Sequence, residues 1–77
     1  MNIENLSSAR VLRLKHVVER VGLSRSTIYD KLDADSPRYD ESFPKKIRLS
    51  ISAVGWIESE IDGWIEGRTR LNNNEKG

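Results

Sequence analysis

No cysteine occurs among the 77 residues, which excludes disulfide staples, thiolate nucleophiles and cysteine-ligated zinc. The single histidine, His16, cannot hold zinc without acidic partners in the right places. No apolar run approaches the ~20 residues that a membrane span requires. The first ten residues lack the basic start and apolar middle of a signal peptide, so the expected location is the cytoplasm. The chain is also short. It holds one domain at most, and a core of that size leaves little room for an enzyme pocket. Binding is therefore expected rather than catalysis, and no nucleophile and base stand in a catalytic arrangement. What is present is balanced: 36% hydrophobic and 32% charged residues mark a soluble compact domain rather than a disordered or membrane chain.

The net charge of +1 conceals an asymmetry. Between Arg10 and Arg48 ten Lys or Arg stand against six acids, a balance of +4, whereas from Leu49 onward three bases face five acids, a balance of −2. A basic part beside an acidic part can present a positive face to phosphates while its far side stays solvated. A mixed solvated surface is the alternative reading of the same counts.

Residues 17–32, VVERVGLSRSTIYDKL, organise the rest. Val17, Val18 and Val21 form one apolar stripe at helical spacing, and Ile28 and Leu32 form another at i and i+4. Gly22 stands where the first helix must stop, because glycine enters the left-handed conformation without a Cβ clash. Leu23 plugs the corner. Ser24 is placed to cap the second helix by accepting from the backbone N–H of Ser26 or Thr27. The pattern predicts a helix-turn-helix.

With Ile28 and Leu32 buried, a 100° step per residue turns Ser26, Tyr29, Asp30 and Asp33 outward, with Arg25 and Lys31 on the flanks. Arginine can donate two hydrogen bonds to guanine, and small hydroxyls or a tyrosine can approach base edges or phosphates. The helix N-terminus favours a phosphate, so Ser24, Arg25 and Ser26 form the expected docking corner. Ser24, Arg25, Ser26, Thr27, Tyr29 and Lys31 are the candidate DNA-binding residues of this helix. A helical hairpin without a ligand is the alternative.

The flanks complete the fold. Val11-Leu12-Arg13-Leu14 suits a short strand or extended lead-in that brings Leu12 and Leu14 to the core, with the first helix starting near Lys15. His16 is expected at or near the surface. DADSPRYDES, residues 33–42, is a loop by composition, and Tyr39 and Phe43 are expected to cover an edge of the core. After Pro44, Lys45 to Leu49 alternates with period two, predicting a strand with Ile47 and Leu49 inward and Lys46 and Arg48 outward. Ser50-Ile51-Ser52 would form the tip. Ala53 to Trp56 would return, with Val54 and Trp56 facing in beside Ile47 and Leu49. A hairpin of this kind after a helix-turn-helix reads as a wing whose Lys45, Lys46 and Arg48 grip phosphates.

In the last helix, ESEIDGWIEGR, Ile57, Ile61, Trp64 and Ile65 make one apolar stripe, and Trp56 and Trp64 read as core residues. Glu58, Glu60 and Asp62 cluster near its start, where the helix dipole favours carboxylates. A metal site is not expected there, since no histidine or opposing carboxylate faces them. No cofactor is expected either. The class is α+β, a small winged helix-turn-helix with three helices and a β-hairpin wing. Its predicted bounds are 11–68, between flexible tails at 1–10 and 69–77.

The segments RLKHVVERVGLSRSTIYDKL, FPKKIRLS and AVGWIESEIDGWI together resemble the AlpA family of phage and prophage regulators. That family shares its winged-helix fold with excisionases and with the DNA-binding domain of MerR-type regulators. The resemblance covers nearly all of the ordered chain. It implies a sequence-specific regulator of a prophage or genomic island, acting on double-stranded DNA at an integrase or excision gene. By position, Ser24, Arg25, Ser26 and Tyr29 match the family's recognition-helix motif, and Lys45, Lys46 and Arg48 match its wing. Two positions depart from the pattern. Asp30 stands where many relatives carry a basic residue, and Ile51 holds a wing tip where proline or a polar turn former is usual.

The alternative function is an excisionase-type architectural factor that bends DNA for a recombinase. A protein-interaction module using the same fold without DNA is a third. Further expected partners are a phage integrase or RNA polymerase. A homodimer or tandem copies on DNA are also expected, because one reading head covers too few base pairs for a unique site.

Overall fold

A left-handed glycine sets the first corner of the chain. In the computed structural model, which describes residues 10–68, Gly22 has φ 75° and closes helix α1 (Leu14–Val21), its N–H donating to the carbonyl of Val18. Two residues later Ser24 caps helix α2 (Arg25–Leu32), its hydroxyl accepting from the backbone N–H of Thr27 at 3.2 Å. The helix-turn-helix is present as its sequence predicts. Helix α1 begins one residue earlier than expected, with Arg13 as its cap.

The chain before α1 is strand β1 (Val11–Leu12), and the chain after α2 supplies β2 (Ile47–Ser50), β3 (Ala53–Ile57) and helix α3 (Glu58–Glu66). The lead-in is thus more than an extension. It pairs antiparallel with β3, giving a three-stranded sheet in the order β1-β3-β2, with Val11 opposite Ile57 and Leu12 opposite Trp56. Glu58 then donates its N–H to the carbonyl of Arg10 at 2.8 Å, so the start of α3 is tied to the start of β1. The described chain is a small α+β winged helix-turn-helix with three helices. The tails expected at 1–10 and 69–77 lie, Arg10 apart, outside the described residues.

Val17, Ile28, Phe43, Trp56 and Ile61 are essentially sealed from solvent, and Leu12 nearly so. One residue comes from each of the six elements or loops that meet there, and Leu14, Val18, Leu32, Trp64 and Ile65 pack around them. Phe43 requires a correction. It is at the centre of the core rather than at an edge, with its ring 4.9 Å from that of Trp64 at 73°, an edge-to-face contact. Tyr39, by contrast, remains exposed.

The hairpin requires another. Arg48 faces Val54 and Ile47 faces Gly55, so Ile47 shares a face with Gly55 and not with Trp56. Ser50 pairs with Ala53, and the register shifts between Arg48 and Ser50, leaving Leu49 as the extra residue of a bulge. Ile47 and Leu49 therefore lie on the outer side of the sheet with Val11, and all three are exposed. A one-residue change of register moves a whole strand to the other face, and alternation within the strand could not reveal it.

Arg20 fastens α1 to α3. Its two terminal nitrogens donate to Asp62 at 2.6 Å and to Glu58 at 2.8 Å, and Arg10 approaches Glu58 at 3.6 Å. The acidic start of α3 is accordingly a clasp for basic residues. Being exposed, it orients the helices more than it stabilises them. None of the described helices is long and apolar enough to cross a membrane.

Candidate nucleic-acid interface

Helix α2 turns Ile28 inward and leaves Arg25, Ser26 and Tyr29 exposed, with Thr27, Asp30 and Lys31 half-buried on either side. Ser24 is exposed at the helix start, yet its hydroxyl is occupied. Besides accepting from the Thr27 N–H, it donates to the Thr27 hydroxyl at 3.0 Å and lies 3.5 Å from that of Ser26. Ser24 and Thr27 thus hold the helix end in shape, while Arg25 and Tyr29 are exposed on it.

The wing meets this face at its base. The Lys46 ammonium lies 5.4 Å from the centroid of the Tyr29 ring, and that of Lys45 lies 5.8 Å from the Tyr39 ring. The exposed strip of Arg25, Ser26 and Tyr29 is thus joined to the hairpin through Lys46, while Lys45 is turned to the loop residue Tyr39. Arg48 stands farther out. It is on the side of Val54, beyond the end of the core, and donates to the carbonyl of Ile51 at 3.3 Å.

Lys31 does not join that strip. It lies on the opposite flank, 3.9 Å from Asp40 and 5.6 Å from the Trp64 ring, which the Arg68 guanidinium also approaches at 4.3 Å. Asp40 is the centre of this cluster. Its carboxylate accepts from the hydroxyl of Ser42 at 2.6 Å and from the Ser42 N–H at 2.9 Å, while its own N–H donates to the carbonyl of Lys31. The Ser42 hydroxyl bond, helped by the nearby Lys31 charge, holds the Asp40 carboxyl below its ordinary range. The loop between α2 and β2 is thereby pinned to the end of α2. Further turns of the same kind, Asp33 accepting from Asp35 and Ser36 from Arg38, keep it compact.

One residue of this loop was not singled out from sequence. Arg38 reaches 3.7 Å from Asp30, so a base from the loop partners that carboxylate. Its only sequence signal was its charge. Among the described residues no three His, Asp or Glu side chains converge in a way that could hold a metal ion.

The model of the family described as "Prophage CP4-57 regulatory protein (AlpA)" matches residues 10–69, which is most of the chain and all of the described fold. The chain belongs to the AlpA family. Similar to it is a protein of Escherichia coli strain K12 named "DNA-binding transcriptional activator AlpA", 51% identical over 69 residues that cover 90% of this chain and 99% of that one. Also similar to this chain is "Uncharacterized protein ORF88" of Enterobacteria phage P4, 37% identical over 68 residues that cover 88% of this chain and 70% of its own. No solved structure matches the chain. The AlpA match begins at Arg10, beside β1, and runs through α3, so the helix-turn-helix, the wing and the residues that join them all lie inside it.

Proposed function

We propose that this chain is a sequence-specific, double-stranded DNA-binding transcriptional regulator of a prophage or genomic island, acting on an integrase or excision gene. The observation that carries the reading is the exposed face of Arg25, Ser26 and Tyr29 on α2, joined to the base of the wing by the Lys46 contact to Tyr29. Base edges in a major groove would be read by Arg25 and Tyr29. Phosphates would be held by Lys45, Lys46 and Arg48, with the Ser26 hydroxyl donating to a phosphate at the helix start, while the Ser24 hydroxyl stays in its cap bonds to Thr27. Thr27 contributes through the cap and Lys31 through the loop cluster, so both shape the interface from behind it. The name of the Escherichia coli relative supports DNA binding and activation of transcription. The match of this chain to a prophage family and to a phage protein supports the mobile-element setting.

The testing experiment is a footprint of the full chain on the DNA surrounding its own gene and any neighbouring integrase gene, read at several salt concentrations. Protected sites with affinity that falls steeply as salt rises are expected. The number and spacing of sites would report whether single, paired or tandem copies bind. Absence of any salt-dependent protection would reject DNA binding. Stimulation of a purified integrase reaction without any effect on a reporter promoter would favour the excisionase-type reading, and the exposed tip of the wing gives that reading specific support.

A further inference from the structure

Ile51 is 90% exposed, far more than any other large hydrophobic side chain among the described residues, and it occupies the outermost turn of the hairpin. Nothing in the fold uses it. Small Ser50 and Ser52 flank it, and Arg48 reaches the same turn by donating to the Ile51 carbonyl. We propose that Ile51 is an apolar wedge that enters the DNA minor groove next to the major groove read by α2, partly unstacks a base step there and bends the duplex. This rests on the wing being a DNA contact.

Reach supports it. Lys46 sits at the Tyr29 ring of the recognition helix, and five residue steps of ~3.3 Å along β2 carry the chain ~17 Å to Ile51. Half a helical turn of B-DNA, the offset from a major groove to the adjacent minor groove, is also about 17 Å. Chemistry supports it too. Side chains inserted between base steps from the minor groove are apolar, isoleucine among them, and basic neighbours accompany them because the narrow groove concentrates negative potential. Arg48 at the tip and Lys45 and Lys46 at the base supply that charge. The bulge at Leu49 increases the local twist of the ribbon that carries the tip.

The probe is a duplex of about 40 bp cut from the footprinted region beside the chain's own gene, end-labelled for energy transfer and carrying 2-aminopurine at successive steps of the flanking minor groove. Wild type is expected to bring the ends closer and to brighten 2-aminopurine at one step. Ile51→Ser should lose about half or more of both signals, with an unchanged salt slope because no charge is removed; Ile51→Leu should retain them. The exposed position leaves the core untouched, which circular dichroism would verify. Equal bending by wild type and Ile51→Ser overturns the wedge. So does loss of a second bound copy in Ile51→Ser with the bend unchanged, which would make the tip a contact between copies. Wild type that binds through Lys45, Lys46 and Arg48 yet leaves the duplex straight overturns the wedge alone. Wild type without salt-dependent binding overturns it together with the DNA-binding reading.

Discussion

Lys46 places its ammonium 5.4 Å from the centre of the Tyr29 ring, and this contact joins the wing to the exposed face of the second helix. Two elements that are separate in sequence thereby approach a ligand as one surface. An exposed cation and ring contribute about 0.5–1 kcal/mol to each other. In a double-mutant cycle of thermal stability, Tyr29→Ala and Lys46→Ala should therefore couple by about that amount, while Tyr29→Phe preserves the coupling with Lys46→Ala. Additive losses would mean that helix and wing act independently.

Gly55 lies where the neighbouring strands leave no room for a side chain. A Cβ there would lie 2.5 Å from Cγ1 of Val11, 3.0 Å from the carbonyl oxygen of Leu12 and 3.1 Å from Cδ1 of Leu49. The two side chains can shift, but the backbone oxygen belongs to a paired strand. Gly55→Ala is expected to destabilise by ~1–3 kcal/mol, lowering the melting midpoint by several degrees, and Val11→Ala should restore part of the loss. An unaltered midpoint in the single variant would show that β1 moves aside freely.

The same strand shows where sequence reasoning stops. Gly22, Ser24, Ile28 and Leu32 act within a few residues of one another, so the helix-turn-helix and its cap were legible from local rules. The core positions of Trp56 and Ile61 followed from apolar spacing. The face of Ile47 and Leu49 did not, because the bulge and the turn decide it jointly and neither has a glycine or proline to announce it. Phe43 was misplaced for a related reason. It sits in a loop without periodicity, and only the three-dimensional path shows that the loop folds over the core. Lys31 and Arg25 flank the same helix as the same kind of charge, and what separates them is Asp40, nine residues beyond Lys31 in the chain.

Asp40 makes that separation sensitive to acid. Its carboxyl is held below the ordinary range in the folded chain, chiefly by the Ser42 hydroxyl, so the folded state binds its proton more weakly than the unfolded state does. The resulting stability is present above the unfolded value near 3.8 and is lost as pH falls below it. Wild type should thus lose melting temperature more steeply than Asp40→Asn as the pH falls below about 4. Parallel curves for the two proteins would remove Asp40 as a source of the acid sensitivity.

Arg25 is expected to carry base discrimination. It is exposed at the start of α2, free of any ion pair among the described residues, and a bidentate contact to guanine contributes ~1–3 kcal/mol against a wrong base. Arg25→Ala should weaken binding to the footprinted site by about that amount and relax the preference at one base pair. Uniform weakening over every sequence variant would reassign Arg25 to a phosphate.

The wing should carry charge without sequence information. Each of Lys45, Lys46 and Arg48 that meets a phosphate releases condensed counterions, so removing all three should reduce the slope of log K against log salt by about two to three units. The ranking of operator variants should stay the same, since phosphates do not differ between sequences. Lys31→Ala serves as the contrast: with its ammonium turned to Asp40 and Trp64, it should lower thermal stability and leave the salt slope unchanged. Ile47 and Leu49 share the strand with Arg48, and Lys45 and Lys46 directly precede it, so circular dichroism must first show a folded triple variant. A folded triple variant with the wild-type slope would take the hairpin out of the DNA contact, and a reduced slope in Lys31→Ala would bring the far flank of α2 into it. The interface would then shift from the Tyr29 and Lys46 side of the helix to the side that faces the loop.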